Sequence, residues 1–269
     1  MLVTDQLGRT LELPNHPPKR IVSLVPSQTE LLYDLGLADE VVGITKFCVH
    51  PEPWFRSKTR VGGTKNIHLD RVRALEPDLI LGNKEENIKQ KIERLAADFP
   101  VWISDVHTLA DALAMIRDVG KLVGREKRGR SLAADIHRAF QQLPRVPETG
   151  KPRVAYLIWD RPLMAAGGDT FIHHMLSEAG YRNVFAEKER YPACSEEELA
   201  GARPDLIFLS SEPFPFAEKH IRRFKQLCPK AVILLVDGEI FSWYGSRLLK
   251  APAYFRTLRE RVEQLVSSS

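Results

Sequence analysis

Short apolar runs alternate with longer amphipathic stretches along this chain. Ile21 to Val25 is a β-branched run that predicts a buried strand. Ser27-Gln28-Thr29-Glu30 has the spacing of a capping box, Leu31, Leu32 and Leu35 supply the apolar stripe of a helix, and Gly36 ends it. Val41 to Ile44 resumes a strand, a helix over Leu69 to Leu75 stops before Pro77, and Asp78 to Leu81 is again a strand. A helix over Glu85 to Asp98 then leads into a strand over Val101 to Ser104. The second half replays this order: a strand over Val154 to Trp159, a helix over Thr170 to Ala179 ended by Gly180, a second capping box at Ser195 to Glu198, and a strand within Ala231 to Val236. Arg203-Pro204-Asp205-Leu206-Ile207-Phe208 echoes Glu76-Pro77-Asp78-Leu79-Ile80-Leu81 at an offset of 127 residues, and the same offset pairs Glu85 with Glu212.

Such alternation predicts parallel strands joined by helical crossovers. Thr108 to Leu143 reads as two helices divided at Gly124, and Pro144 to Pro152 reads as a linker. The expected fold is α/β: two Rossmann-like lobes with short parallel sheets, joined by a long rigid backbone helix. The expected divisions are 1–122 for the first lobe, 123–148 for the helix and linker, and 149–269 for the second lobe. A continuous helix is a stiff connector because it has no soft φ/ψ position at which to bend.

Charge narrows the function class. The 39 basic and 35 acidic residues leave a net charge of +4, without a dense basic stripe interleaved with aromatics, so a nucleic-acid partner is not expected. Arg125, Lys127, Arg128 and Arg130 wrap around a helix and read as a solvated face rather than a phosphate patch. Cys48, Cys194 and Cys228 are odd in number and far apart, which fits neither a disulfide framework nor a paired zinc motif. No apolar run is long enough to span a bilayer, and the first residues lack a charged-then-apolar leader. The expected location is cytoplasmic as the chain stands, or extracytoplasmic if a leader has been cut away. There is no G-x-S-x-G elbow, no P-loop and no paired H-E-x-x-H motif, so an enzyme is not expected, and neither is a catalytic cofactor.

Three segments together resemble a known family: Thr4 to Arg9, Arg20-Ile21-Val22-Ser23-Leu24-Val25-Pro26-Ser27-Gln28-Thr29-Glu30-Leu31-Leu32, and Leu75-Glu76-Pro77-Asp78-Leu79-Ile80. They are similar to the opening strand pair, the first strand with its helix, and the L-x-P-D-L-I segment of the helical-backbone class of periplasmic binding proteins. That class delivers cobalamin, haem and ferric siderophores to ABC importers. The resemblance covers nearly the whole chain, and Pro26 to Glu30 looks like the first helix of the cobalamin-binding branch. It implies a monomeric solute-binding protein, with no membrane span, that holds a corrinoid such as cobalamin, or a related metal chelate, between two lobes for an ABC importer. Haem and ferric siderophores are the alternative ligands, since one scaffold carries chemically distant ligands. An intracellular metallochaperone or cofactor-handling enzyme on the same scaffold is the alternative class.

Ligands of such folds bind at the carboxyl ends of the strands. Trp243 and Tyr244, with Phe47 and Trp159, are the expected ring contacts for a large flat ligand; the competing reading is that they cap the core. Arg247 or Lys65 would meet anionic substituents, although Arg247 suits a surface ion pair equally. In the cobalamin branch a tryptophan sits near Gly62-Gly63-Thr64-Lys65, where this chain has Thr64 and Lys65. Cys48, His50 and His173 are the candidate metal ligands, with His68 and His174 as other possible ligands and a buried thiol as the plainer reading of Cys48. The resemblance also implies that one glutamate on each lobe docks into the permease. Glu85 and Glu212 are the symmetric pair, with Glu86 and Glu218 as substitutes, and helix-dipole complementation is the competing role. Gly167-Gly168-Asp169-Thr170 reads as a helix cap before an anion cradle.

Overall fold

The computed structural model describes residues 1–267. Strands β1 (Leu2–Thr4) and β2 (Thr10–Glu12) pair antiparallel. The turn between them is tied by Asp5, whose Oδ1 accepts the backbone N–H groups of Leu7 and Arg9. The first half continues through β3 (Ile21–Ser23), α1 (Pro26–Asp34), β4 (Val41–Ile44), α2 (Glu52–Ser57), β5 (Thr59–Arg60), α3 (Leu69–Arg73), β6 (Leu79–Asn83), α4 (Lys89–Ala96) and β7 (Val101–Ser104). Helices α5 (Leu109–Leu122) and α6 (Glu126–Gln141) follow. The second half holds β8 (Arg153–Asp160), β9 (Leu163–Ala165), α7 (Phe171–Glu178), β10 (Arg182–Asn183), α8 (Glu196–Gly201), β11 (Leu206–Ser210), α9 (Glu218–Leu227), β12 (Val232–Val236), α10 (Gly238–Ser242) and α11 (Ala251–Ser267).

Two separate sheets form. One is all parallel in the order β5-β4-β3-β6-β7; the other is parallel in the order β10-β8-β11-β12, with β9 antiparallel on β8. Their central strands are apolar and buried on both faces, as helix-covered parallel sheets require. Val22, Leu24, Ile80, Leu95 and Ile103 centre the core beside the first sheet, and Leu157, Ile207, Leu209, Phe216 and Phe224 the core beside the second. Contacts divide the chain into two compact units. The first comprises Met1–Val106, Ala110–His137 and Trp243–Arg247, and the second comprises His107–Leu109, Arg138–Ser242 and Leu248 onward. The division falls inside α6, between His137 and Arg138.

The repeated P-D-L-I segment has a physical content. Asp78 accepts the backbone N–H groups of Lys19 and Arg20 at 2.7 and 2.8 Å, and Asp205 accepts that of Arg153 at 2.8 Å. Each aspartate thus ties the start of its own strand to the start of the parallel neighbour. The neighbour's arginine returns the contact: Arg20 donates to the Leu75 carbonyl at 2.6 and 2.8 Å, and Arg153 to the Ala202 carbonyl at 2.8 Å. Glu76 and Arg203, again 127 apart, both take the left-handed conformation at φ 42° and 47°. Strands β6 and β11 keep the same offset from first residue to last.

Two local expectations are corrected. Helix α1 begins at Pro26 with Val25 as an uncapped N-cap, so Ser27 to Glu30 are not a capping box; all four lie inside the helix and are buried. Helix α4 begins at Lys89 rather than Glu85, because Asn83 Oδ1 accepts the N–H groups of Glu85 and Glu86 at 2.8 and 3.0 Å and holds them in a turn. The second capping box forms as expected, with Ser195 and Glu198 satisfying each other's backbone N–H. Thr170 caps α7 by accepting the His173 N–H. No described helix is long and apolar enough to cross a membrane.

Candidate functional site

In the first unit, β6 and β7 deliver their carboxyl ends to a buried polar cluster. Gln28 Nε2 donates to Ser104 Oγ at 2.6 Å, Asn83 Nδ2 donates to the same oxygen at 3.0 Å, and Ser104 Oγ donates to the Gly82 carbonyl at 3.2 Å. Asn87 Oδ1 accepts the Asn83 N–H at 2.8 Å, while its Nδ2 donates to the Thr64 carbonyl at 3.1 Å. Buried amides and hydroxyls of this kind fix loop positions because leaving any one unpaired costs about 1–3 kcal/mol. The cluster pins the loop at Thr64-Lys65 and the turn at Glu85-Glu86. Lys65 Nζ donates to the Glu85 carbonyl and joins the two.

A second set of contacts recruits Trp243–Arg247 to this unit. Arg247 forms a two-point pair with Glu30 of α1, at 2.8 and 2.9 Å. Its guanidinium lies 4.6 Å from the centre of the Trp243 ring, and that ring packs edge-on against His50 at 5.7 Å. Ser246 Oγ bonds to the Asp34 carboxylate, and Tyr244 donates its hydroxyl to Glu86 Oε1 at 3.0 Å. Burial first, and the Glu86 carboxylate second, push the Tyr244 phenol well above its ordinary pKa, so it stays a donor. Gly245 is required where it stands: a Cβ there would overlap the Ser27 carbonyl oxygen.

The expected contact residues differ in exposure. Arg247 is 9% exposed, and its guanidinium pairs with Glu30. Trp243 and Tyr244 are each 6% exposed. Phe47, in contrast, is 50% exposed on the loop leaving β4, with Lys46 Nζ 5.0 Å from its ring centre. Of the metal candidates, Cys48 and His50 lie in the first unit and His173 in the second. Among the described residues no group of three or more His, Cys, Asp or Glu could hold a metal ion. The Cys48 thiol is buried beside Thr29 and Thr45 Oγ1, at 3.1 and 3.2 Å, and burial pushes its pKa up to about 11. It is a protonated thiol at neutral pH. All three cysteines are free and buried. His173 Nδ1 faces Asn183 Nδ2 at 3.4 Å, and burial, with His174 second, lowers its pKa.

In the second unit, Trp159 stands 38% exposed near the carboxyl end of β8, its indole N–H donating to the Arg161 carbonyl at 3.1 Å. Its ring packs edge-on against Phe214, which packs against Phe216 and His220. Sequence reasoning passed over Phe214 and Phe216, whose signal is aromatic spacing in the loop after β11, and His220 in the first turn of α9. Glu212 follows β11 as Glu85 follows β6, and its carboxylate accepts the Ser242 hydroxyl at 2.7 Å. Glu218 is exposed in the first turn of α9.

The parallel sheets and strand-end rings can be set beside known proteins. A family model described as periplasmic binding protein matches residues 21–226. A vitamin B12-binding protein of Photorhabdus laumondii is 29% identical over 237 residues, which is 87% of this chain and 85% of that protein. The periplasmic vitamin B12-binding protein BtuF of Vibrio cholerae has a TM-score of 0.73 at 22% identity, covering 92% of this chain and 98% of that one. A periplasmic heme-binding protein from Pseudomonas aeruginosa has a TM-score of 0.73 at 22% identity, covering 90% and 92%. The two structures share the fold, and the family match extends over most of both halves. The chain belongs to the periplasmic binding protein family.

Proposed function

We propose that this protein binds a planar metal chelate, with a corrinoid such as cobalamin as the leading ligand, and delivers it to an ABC importer. One observation carries the reading: each unit presents a large exposed ring at the carboxyl end of a parallel strand, Phe47 after β4 and Trp159 on β8. Exposed rings at that end of an α/β sheet suit a flat conjugated ligand, which gains area and ring contact without ordering long side chains. The vitamin B12-binding relative, aligned over 87% of the chain, supports the corrinoid. Exposed Lys65 offers a cation beside the Glu85 turn for an anionic side group. Importer docking through Glu85 and Glu212, with Glu86 and Glu218 as substitutes, belongs to the same proposal. It is supported by the matched placement of Glu85 and Glu212 two residues beyond β6 and β11.

Calorimetric titration with cobalamin, cobinamide, haem and a ferric siderophore tests it. Binding of a corrinoid at micromolar affinity or tighter is expected, without chemical turnover. Tighter binding of haem would reassign the ligand, and failure of all four to bind better than millimolar would remove the reading.

A further inference from the structure

Strand β8 ends in two residues that face opposite ways: Trp159 turns outward and is exposed, while Asp160 turns inward and is 8% exposed. The chain then reverses at Arg161-Pro162 into β9, with Trp159 opposite Met164 and Asp160 opposite Leu163. Arg161 and Pro162 are both exposed, so the inward anchor next to the ring is Asp160. The Trp159 indole N–H is held by the Arg161 carbonyl at 3.1 Å. Two points therefore fix the ring, its own Cα and that carbonyl, and they flank Asp160 in the chain. The Asp160 carboxylate accepts a hydrogen bond from Arg223 Nη1 of α9. The same guanidinium donates through Nε and Nη2 to Glu196 Oε1 of α8, at 2.7 and 2.5 Å. One planar fork thus ties the end of β8 to two helices. Arg161 adds little to this hold: its Nε is 3.7 Å from Asp160 Oδ2, on a side chain that is 87% exposed.

We infer that Arg223 is a positioning residue: by holding Asp160 it fixes the height and tilt of the Trp159 ring that meets the ligand, and it acts on affinity through that ring. This role rests on the proposed chelate-binding function. It is tested on the full chain with R223M, R223K, R161A, W159A and the double variant R223M/W159A, titrated with cobinamide and haemin by calorimetry. Trp54, Trp102 and Trp243 are 4, 0 and 6% exposed, so acrylamide quenching of the native protein reports mainly on Trp159. R223M releases the hairpin tip, which should raise the quenching constant and weaken chelate binding about three- to tenfold, the range one aromatic contact is worth. R223K carries a point charge that can hold one carboxylate but not bridge two, so it should lie between R223M and wild type in both measurements. If R223M does not fold, R223K carries the same comparison. R161A should match wild type. The decisive comparison is the double-mutant cycle. A loss that runs through the ring disappears once the ring is gone, so R223M/W159A should bind as W159A does, even though R223M lowers the melting midpoint in both backgrounds. An equal loss of affinity in both backgrounds would show a structural role alone and overturn the inference, as would a quenching constant unchanged from wild type. A wild-type protein that binds neither chelate removes the functional reading, and the quenching comparison then upholds or overturns the hold of Arg223 on the ring by itself.

Discussion

Replacing Arg247 with alanine would take the guanidinium from a carboxylate held in a site where both side chains are only 10–11% exposed. Two bonds to Glu30, at 2.8 and 2.9 Å, and the packing over the Trp243 ring go with it. Breaking a buried pair by removing one partner costs about 3–5 kcal/mol, because the remaining charge stays desolvated. With a urea m-value of about 3 kcal/mol/M, a loss of about 4 kcal/mol lowers the unfolding midpoint by about 1.3 M. The assay is urea denaturation followed by Trp fluorescence, with a double-mutant cycle over R247M, E30L and the double variant. The double variant should recover most of the single losses, since apolar residues of similar volume leave no buried charge. The exposed pair of Arg130 with Glu126 is the control, and R130A should change stability by less than about 0.5 kcal/mol. A loss below about 1 kcal/mol in R247A, or no coupling in the cycle, would refute the reasoning that this pair holds Trp243–Arg247 on α1.

Other outcomes follow from the same geometry. With its pKa near 11, Cys48 is about 0.1% thiolate at pH 8, so a thiol reagent should label it only after denaturation; fast native labelling, located by mass spectrometry, would contradict this. The sign for stability is that of an acid raised in the folded state, so the contribution is whole below pH 9.0 and is lost as pH rises to about 11. G245A forces its new Cβ into the Ser27 carbonyl and should cost about 1–3 kcal/mol in a thermal or urea melt, whereas G201A, whose Cβ meets nothing within 4 Å, should not. Glu76 and Arg203 occupy left-handed backbone, so E76G and R203G should each be neutral or stabilising by up to about 1 kcal/mol; a clear loss at both would show that the side chains, not the backbone, are selected there.

The sequence by itself determined the strand–helix alternation, the two copies of the P-D-L-I splice and the cap at Ser195. Each of these is a local matter: hydrophobic period, turn chemistry and capping act over a few residues, and a repeat shows itself by its offset. It also showed which residue types could carry chemistry, but not which of them would be occupied elsewhere. The tertiary structure turned Ser27 to Glu30 from a helix cap into buried anchors, moved the start of α4 from Glu85 to Lys89, and bound Arg247 to a glutamate 217 residues away. It also buried the Cys48 thiol between Thr29 and Thr45 and so pushed its pKa up. Partners that meet only when distant segments pack leave no trace in local spacing, and it is those partners that set protonation, exposure and commitment at the site.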